Sequence, residues 1–132
     1  MADTIPFDLV SPERLLLSEE AEMVTLPGAA GYFGVLPGHA PVISTLKPGV
    51  IEVKGGSANG ARYFVSAGFA EVTADRLTVL AEDAIAVNTV DAATLDQKIA
   101  DAEEDILQAK TEAARAKAVA TLDSLKLLRA AL

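Results

Sequence analysis

Every glycine, proline and aromatic residue of this 132-residue chain lies before Val90. That part holds nine glycines, six prolines and six aromatic residues, and the last glycine is Gly68. The 42 residues after Val90 contain none of these types, and twelve of them are alanine. Because glycine and proline interrupt helices whereas alanine favours them, the two parts must differ in structure. We predict one domain over residues 1–88 and a second over residues 89–132.

The first part has the pattern of short β-strands. Ile5, Phe7 and Leu9 alternate with other residues at the period of a half-buried strand. Five further runs are rich in β-forming residues: Met23–Leu26, Pro41–Ile43, Val50–Val53, Arg62–Val65 and Leu77–Leu80. Turn-forming pairs separate the runs: Pro27-Gly28, Pro37-Gly38, Pro48-Gly49, Gly55-Gly56 and Asn59-Gly60. Asn-Gly predicts a hairpin, and strands spaced this evenly predict a β-sandwich or barrel rather than a parallel α/β sheet.

The second part has the pattern of an amphipathic helix. Its apolar residues recur in steps of four and three: Leu95, Ile99, Ala102, Ile106, Ala109, Ala113, Ala116 and Ala120. Asp91 is placed to cap the start, and acids precede bases along the run, as the helix dipole favours. A continuous rod and a hairpin that breaks near residues 109–112 both satisfy the pattern. Since an alanine seam buries little surface, we expect a detachable helical arm.

Composition and motifs exclude several classes of function. The formal charge of −8 opposes non-specific nucleic-acid binding, and the lack of cysteine excludes disulfides and thiolate metal sites. The longest uncharged stretch, Met23–Leu46, is too rich in proline and glycine to span a membrane as a helix, and we expect no targeting segment. No Gly-Lys pair supports a phosphate loop, and His39 is the only histidine, so no catalytic triad is expected. The acids around Asp101 predict a solvated helix face, and we predict no catalytic or metal-binding residue.

The segment from Gly31 to Gly49 carries the strongest indication of function. Tyr32 and Phe33 stand between Gly31 and Gly34, where we expect both aromatic rings to be exposed on a turn-rich corner. Exposed aromatic side chains on a rigid loop suit contact with another protein.

This segment resembles a motif of the epsilon subunit of bacterial F-type ATP synthases. The resemblance rests on Gly31-x-x-Gly34-x-x-Pro37-Gly38-His39-x-Pro41 followed by Leu46-x-Pro48-Gly49. Phe7–Glu13 resembles the first strand of that family, and Phe64–Val72 resembles a later strand pair. The order of the two parts and the length agree as well, so the resemblance covers essentially the whole chain.

The resemblance implies a β-sandwich of about ten mostly antiparallel strands followed by a C-terminal two-helix hairpin. It implies a non-catalytic rotor subunit in the central stalk, at the cytoplasmic face of the bacterial inner membrane. Its partners would be the gamma subunit, the c-ring and, transiently, the alpha/beta catalytic head. The implied c-ring contacts are Gly31, Tyr32, Phe33 and Gly34, and the implied gamma contacts are Ser11, His39 and Pro41.

The helical arm is implied to regulate ATP hydrolysis. Four late bases are the candidate contacts with acidic surfaces of the catalytic head: Arg115, Lys117, Lys126 and Arg129. Some family members bind ATP through an arginine-alanine pair in the second helix, where this chain has Lys126 and Leu127 after Asp123. Because lysine lacks the planar fork of arginine, we expect weak or absent ATP binding and no cofactor. The alternative function is a stand-alone β-sandwich that binds a small ligand and carries a helical oligomerisation tail.

Overall fold

The computed structural model describes residues 3–132. The predicted first domain begins at Met1, as does the segment predicted to carry no targeting signal. Met1 and Ala2 of both therefore lie outside the described residues. The chain divides into two compact units, the second of which is Val87–Leu132. Within residues 3–132, neither helix is long and apolar enough to cross a membrane.

The first unit is built from ten β-strands. They are β1 (Ile5–Val10), β2 (Leu15–Ala21), β3 (Met23–Gly28), β4 (Gly31–Val35), β5 (Val42–Leu46), β6 (Gly49–Lys54), β7 (Arg62–Val65), β8 (Gly68–Thr73), β9 (Arg76–Ala81) and β10 (Ala84–Ala86). The pairing gives two five-stranded halves, β10-β7-β6-β3-β4 and β5-β8-β9-β1-β2, joined where Gly28 pairs with Leu46. Strands β1 and β9 run parallel, and the other described pairs are antiparallel. The predicted mostly antiparallel sandwich is confirmed.

The core follows from the alternation of side chains along the strands. Ile5, Phe7 and Leu9 are buried, as their spacing predicts. They join a cluster with the inward side chains of eight other strands, β2 to β9, which include Val24, Ile51, Val65, Val72, Leu77 and Val79. Each fully buried side chain of this size contributes about 1.5–3 kcal/mol, so the first unit holds a substantial core of its own.

Short turns make up one end of the sandwich, whereas the other end combines long loops with short connections at residues 22 and 74–75. At one end, named here the short-turn end, lie residues 11–14, 29–30, 47–48, 66–67 and 82–83. Backbone bonds tie these turns together: the Ala29 amide donates to the Thr45 carbonyl at 2.9 Å, and the Lys47 amide donates to the Pro27 carbonyl at 3.0 Å. The opposite end carries the longer loops 36–41 and 55–61. The short-turn end is therefore the blunter of the two.

Two of the predicted turns are parts of strands. Pro27 and Gly28 end β3 and are buried, and Gly49 begins β6, so the turn predictions for Pro27-Gly28 and Pro48-Gly49 are wrong at these glycines. A Cβ on Gly28 would lie 2.8 Å from the Gly31 carbonyl oxygen and 2.8 Å from the Phe33 ring. This glycine serves close packing rather than a turn. The Asn59-Gly60 hairpin is confirmed, with Asn59 Oδ1 accepting from the Gly55 amide at 2.7 Å.

The second unit is a helical hairpin. A 3-10 turn (Val87–Thr89) leads to α1 (Ala92–Gln108) and then to α2 (Glu112–Ala131). Asp91 caps α1 as predicted: its carboxylate accepts from the Thr94 hydroxyl at 2.7 Å and the Thr94 amide at 2.9 Å, which lowers the pKa of Asp91. The hairpin, not the rod, is the observed shape. Thr111 enforces the break, since its hydroxyl accepts from the Ala114 amide at 3.0 Å and caps α2.

The predicted apolar seam is correct in α1 and wrong in α2. Leu95 and Ala102 are buried, whereas Ala113, Ala116 and Ala120 are exposed. The buried side chains of α2 are Leu122 and Leu128. The extended backbone at Ala109 and Thr111 interrupts the helical phase, so the second helix restarts with another face inward. An ion pair between Arg129 Nε and Asp96 Oδ1, 2.8 Å apart, fixes the register of the two helices.

Candidate functional site

The predicted corner around Tyr32 is a strand. Gly31–Val35 forms β4, in which Tyr32 pairs with Pro27 and Phe33 with Leu26. Because neighbouring side chains of a strand face opposite ways, Tyr32 is 56% exposed whereas Phe33 packs against the core cluster. The expectation that both rings are exposed is therefore wrong for Phe33. The Tyr32 hydroxyl accepts a hydrogen bond from the Val50 amide at 3.0 Å.

The structure does not bring Ser11, His39 and Pro41 into one cluster. Ser11 closes the β1–β2 turn at the short-turn end, where its amide donates to the Arg14 carbonyl at 2.9 Å. His39 and Pro41 lie at the opposite end, in the loop that leads into β5. The His39 ring is half-buried, with its centroid 6.5 Å from that of Phe33. The three residues thus mark the two ends of one half of the sandwich.

An exposed apolar face lies between those ends and was missed from the sequence. Register places Thr45, Phe69, Leu80, Val10 and Leu15 side by side across five strands. We define the apolar face as the exposed side chains Leu15, Ile43, Phe69 and Leu80. The local signal is an unbroken apolar run such as Val79-Leu80-Ala81, which indicates a strand with two apolar sides.

The next row of the sheet begins with Ile43 of the apolar face and continues with the polar residues Glu71, Thr78, Asp8 and Ser18, which border the face. Asp8 pairs with Ser18 in the register, and its carboxylate accepts from the Ser18 hydroxyl at 2.6 Å. The Arg76 Nη1 atom lies 2.7 Å from Oδ2, the other carboxylate oxygen of Asp8. An apolar centre with a polar rim is the usual anatomy of a protein–protein interface.

A cleft extends the apolar face at the short-turn end. Its volume is about 620 Å³, and its lining includes Ser11, Pro12, Leu46, Ala67, Phe69 and Leu80. Ser11, which was predicted as a contact residue, therefore adjoins two members of the apolar face. The cleft offers a place for an apolar side chain of a partner protein.

The four arm bases do not form one patch. Arg115 and Lys126 are eleven residues apart, about three helical turns, so they lie along one line of α2. Lys117 follows Arg115 by two residues and lies about 200° around the helix. Arg129 is engaged with Asp96 inside the hairpin. Of the four predicted bases, Arg115 and Lys126 therefore share one line of α2, and neither of them is the partner of Asp96.

The acidic groups are organised by local hydrogen bonds. Asp101 accepts from Gln97, and Glu104 accepts from Gln108, each at 2.9 Å within α1. In the described part of the chain, no three His, Asp or Glu side chains are grouped closely enough to hold a metal ion.

Comparison with known proteins identifies the family. The family model described as "ATP synthase, Delta/Epsilon chain, beta-sandwich domain" matches residues 4–87. The ATP synthase epsilon chain of Parvibaculum lavamentivorans is 51% identical over 98% of each chain, and that of Mesorhizobium japonicum is 48% identical over 100% of this chain and 98% of its own.

Solved structures agree with this assignment. A chain of the Euglena gracilis mitochondrial ATP synthase, solved as OSCP/F1/c-ring, has a TM-score of 0.87 at 26% identity and covers 99% of this chain and 82% of its own. A chain of the Tetrahymena thermophila mitochondrial ATP synthase central stalk and c-ring shares the fold, with a TM-score of 0.68 at 16% identity over 96% and 95% of the two chains. The relatives match nearly the full length, which decides against a stand-alone ligand-binding module. The chain belongs to the family of ATP synthase epsilon chains, as its sequence motif predicted.

Proposed function

We propose that the chain is the non-catalytic epsilon subunit of a proton-translocating F-type ATP synthase, in which it links the gamma shaft to the c-ring. The observation that carries this proposal is the apolar face on a stiff antiparallel sandwich, in a chain that aligns over its whole length with epsilon chains. We place the subunit at the cytoplasmic face of the bacterial inner membrane, as a peripheral protein, because the named relatives are bacterial chains.

The gamma subunit is the proposed occupant of the apolar face. Phe69 and Leu80 lie at the centre of the face, and Ser11 adjoins them through the cleft. Pro41 directly precedes β5, which contributes Ile43 to the face, and His39 lies two residues before Pro41. Contacts at Ser11, His39 and Pro41 would therefore mark the two ends of one continuous interface.

The c-ring is the proposed partner of the turns 29–30 and 47–48 of the short-turn end and of the hairpin that carries Gly31, Tyr32, Phe33 and Gly34. Gly31 directly follows the turn at residues 29–30, and Tyr32 exposes one side of its ring. Phe33 and Gly34 are proposed to contribute through the backbone of β4, since the Phe33 ring faces the core. Short turns suit an end that must transmit force without bending.

The helical hairpin is the proposed regulatory arm. Arg115, Lys117, Lys126 and Arg129 are proposed to meet acidic surfaces of the alpha/beta catalytic head when the hairpin opens. Arg129 becomes available only then, because Asp96 holds it in the closed hairpin. We also infer that the arm binds ATP weakly or not at all, since Lys126, which follows Asp123, stands where the ATP-binding motif has arginine.

Co-purification tests the assignment to the stalk. We expect the full chain, co-expressed with a tagged gamma subunit, to be retained with it in equal amounts through washes at high salt. A chain ending at Val90 should be retained equally well, because the apolar face lies wholly in the first unit. Loss of either chain in the washes would contradict the proposal.

Charge removal tests the arm. We expect Arg115→Gln combined with Lys126→Gln to raise ATP hydrolysis by the assembled synthase by about two- to thirtyfold, since each of the two exposed ion pairs contributes about 0.2–1 kcal/mol. Lys117→Gln combined with Lys110→Gln is the control matched for charge, because it also removes two positive charges and Lys117 lies on another side of α2. Hydrolysis rates that rise equally in the control, or in neither variant, would exclude a shared contact line through Arg115 and Lys126.

A further inference from the structure

The Tyr32 side chain bridges three strands at a point where the backbone ladder stops. The pairing of β3 with β6 ends at Thr25 and Glu52. Two residues farther along β3 stands Pro27, which has no amide hydrogen, and its carbonyl accepts from Lys47 rather than from β6. The Val50 amide of β6 donates to the Tyr32 hydroxyl at 3.0 Å instead. The phenol, which comes from β4, thus replaces a missing ladder bond across β3.

Gly49 is shaped to receive this ring. A Cβ at Gly49 would lie 2.5 Å from the Tyr32 hydroxyl oxygen and 2.7 Å from Pro27 Cβ. The position is buried, so no other side chain fits without moving the ring. Phe33 covers Gly28 in the same way on the other side of the hairpin. Both aromatic residues of the family motif therefore pack over a glycine, Phe33 over Gly28 of the adjacent β3 and Tyr32 over Gly49 of β6, one strand farther away.

We propose that Tyr32 is a positioning residue whose ring and hydroxyl hold the β3–β4 hairpin on the start of β6. The effect is to present the turns Ala29–Ala30 and Lys47–Pro48 as one rigid surface at the short-turn end. The two turns are already joined by the bonds from the Ala29 and Lys47 amides, and Tyr32 lies directly beside them. The importance of this role for assembly rests on the proposed function. The role adds to the contact that is proposed between the exposed side of the Tyr32 ring and the c-ring.

Amide hydrogen exchange of the isolated full chain tests this role without any partner. Tyr32→Phe keeps the ring over Gly49 and removes only the hydroxyl, so we expect the Val50 amide to exchange about three- to tenfold faster. Tyr32→Ala removes the ring as well, and the Ala29 and Lys47 amides should then accelerate by at least the same factor. The Val79 amide in the core should keep its rate in both variants, which shows that the change is local.

The matched control is Leu36→Ala, because Leu36 is 53% exposed and directly follows β4. All three reporting amides should keep their wild-type rates in this variant. Unchanged rates at Val50 in Tyr32→Phe would overturn the positioning role and leave the stalk assignment intact. If Tyr32→Ala does not fold, the Tyr32→Phe result alone decides.

Assembly with the c-ring separates the two proposals. We expect retention on purified c-rings to fall in the order wild type, Tyr32→Phe, Tyr32→Ala, so that the conservative variant rescues part of the loss. Accelerated exchange together with wild-type retention of Tyr32→Ala would overturn the link between this bridge and the ring. Failure of the wild-type chain to bind would instead contradict the proposed function.

Discussion

Replacing Phe69 with aspartate should lower the affinity for the gamma subunit at least about a hundredfold, because a charge would replace a central apolar contact. Phe69 is 45% exposed and stands between Thr45 and Leu80 in the row that crosses the apolar face. Its side chain also lines the cleft beside Ser11. The Phe69 ring is not part of the core cluster of the sandwich, so the variant should fold. Titration calorimetry with purified gamma subunit measures the loss.

Ile85→Asp is the control for the aspartate substitution. Ile85 is 43% exposed, like Phe69, but it lies in β10 of the other half of the sandwich. We expect its affinity for gamma to stay within about twofold of the wild-type value, since exposed positions outside an interface contribute little. An equal loss in both variants, or full binding by Phe69→Asp, would remove the apolar face as the gamma site.

Phe7→Ala should destabilise the sandwich by about 3–5 kcal/mol, the usual effect of deleting a fully buried aromatic ring. Phe7 is 0% exposed in the middle of β1, between β2 and β9. A small domain has a total stability of only about 5–15 kcal/mol, so the variant should lose much of its folded population on mild heating. Urea unfolding followed by tyrosine fluorescence measures the change. Both tyrosines lie in the sandwich, and the sequence contains no tryptophan that would mask their signal.

Phe69→Ala supplies the comparison for the core variant. It deletes the same atoms from the outer side of the sheet, where much of the ring is already in water. We expect a loss below about 1 kcal/mol. Equal destabilisation by the two substitutions would mean that the inside and the outside of the sandwich have been assigned wrongly.

Local patterns were sufficient to predict six of the ten described strands but not β2, β4, β8 or β10. The alternation of Ile5, Phe7 and Leu9 identifies an inward face directly. In β4, by contrast, Gly31 and Gly34 look like turn residues, although the strand continues through both. In β2, three leucines in succession show no alternation. The helix break was left open because its cause is the cap formed by Thr111, not a glycine or proline.

The apolar face was harder to predict because it depends on the register between strands that are distant in sequence. Phe69, Leu80 and Val10 become neighbours only once β8, β9 and β1 are paired. No local window of the sequence contains that information. The motif around Tyr32 was recognised, yet the packing of its rings over Gly28 and Gly49 needs the three-strand arrangement of β4, β3 and β6. The sequence was therefore sufficient to recognise the family motif, but not to predict the packing that explains it.

The parallel pair of β1 and β9 constrains how the chain is made. Phe7 pairs opposite Leu77, so the first strand reaches its place only when nearly the whole sandwich has left the ribosome. Until then Ile5, Phe7 and Leu9 lack the apolar contacts that Leu77 and Val79 of β9 provide in the core. Closing so long a segment is slow compared with forming the hairpins, since contacts distant in sequence are the last to repay their entropy. The sandwich therefore becomes foldable as a whole only after β9 has been synthesised.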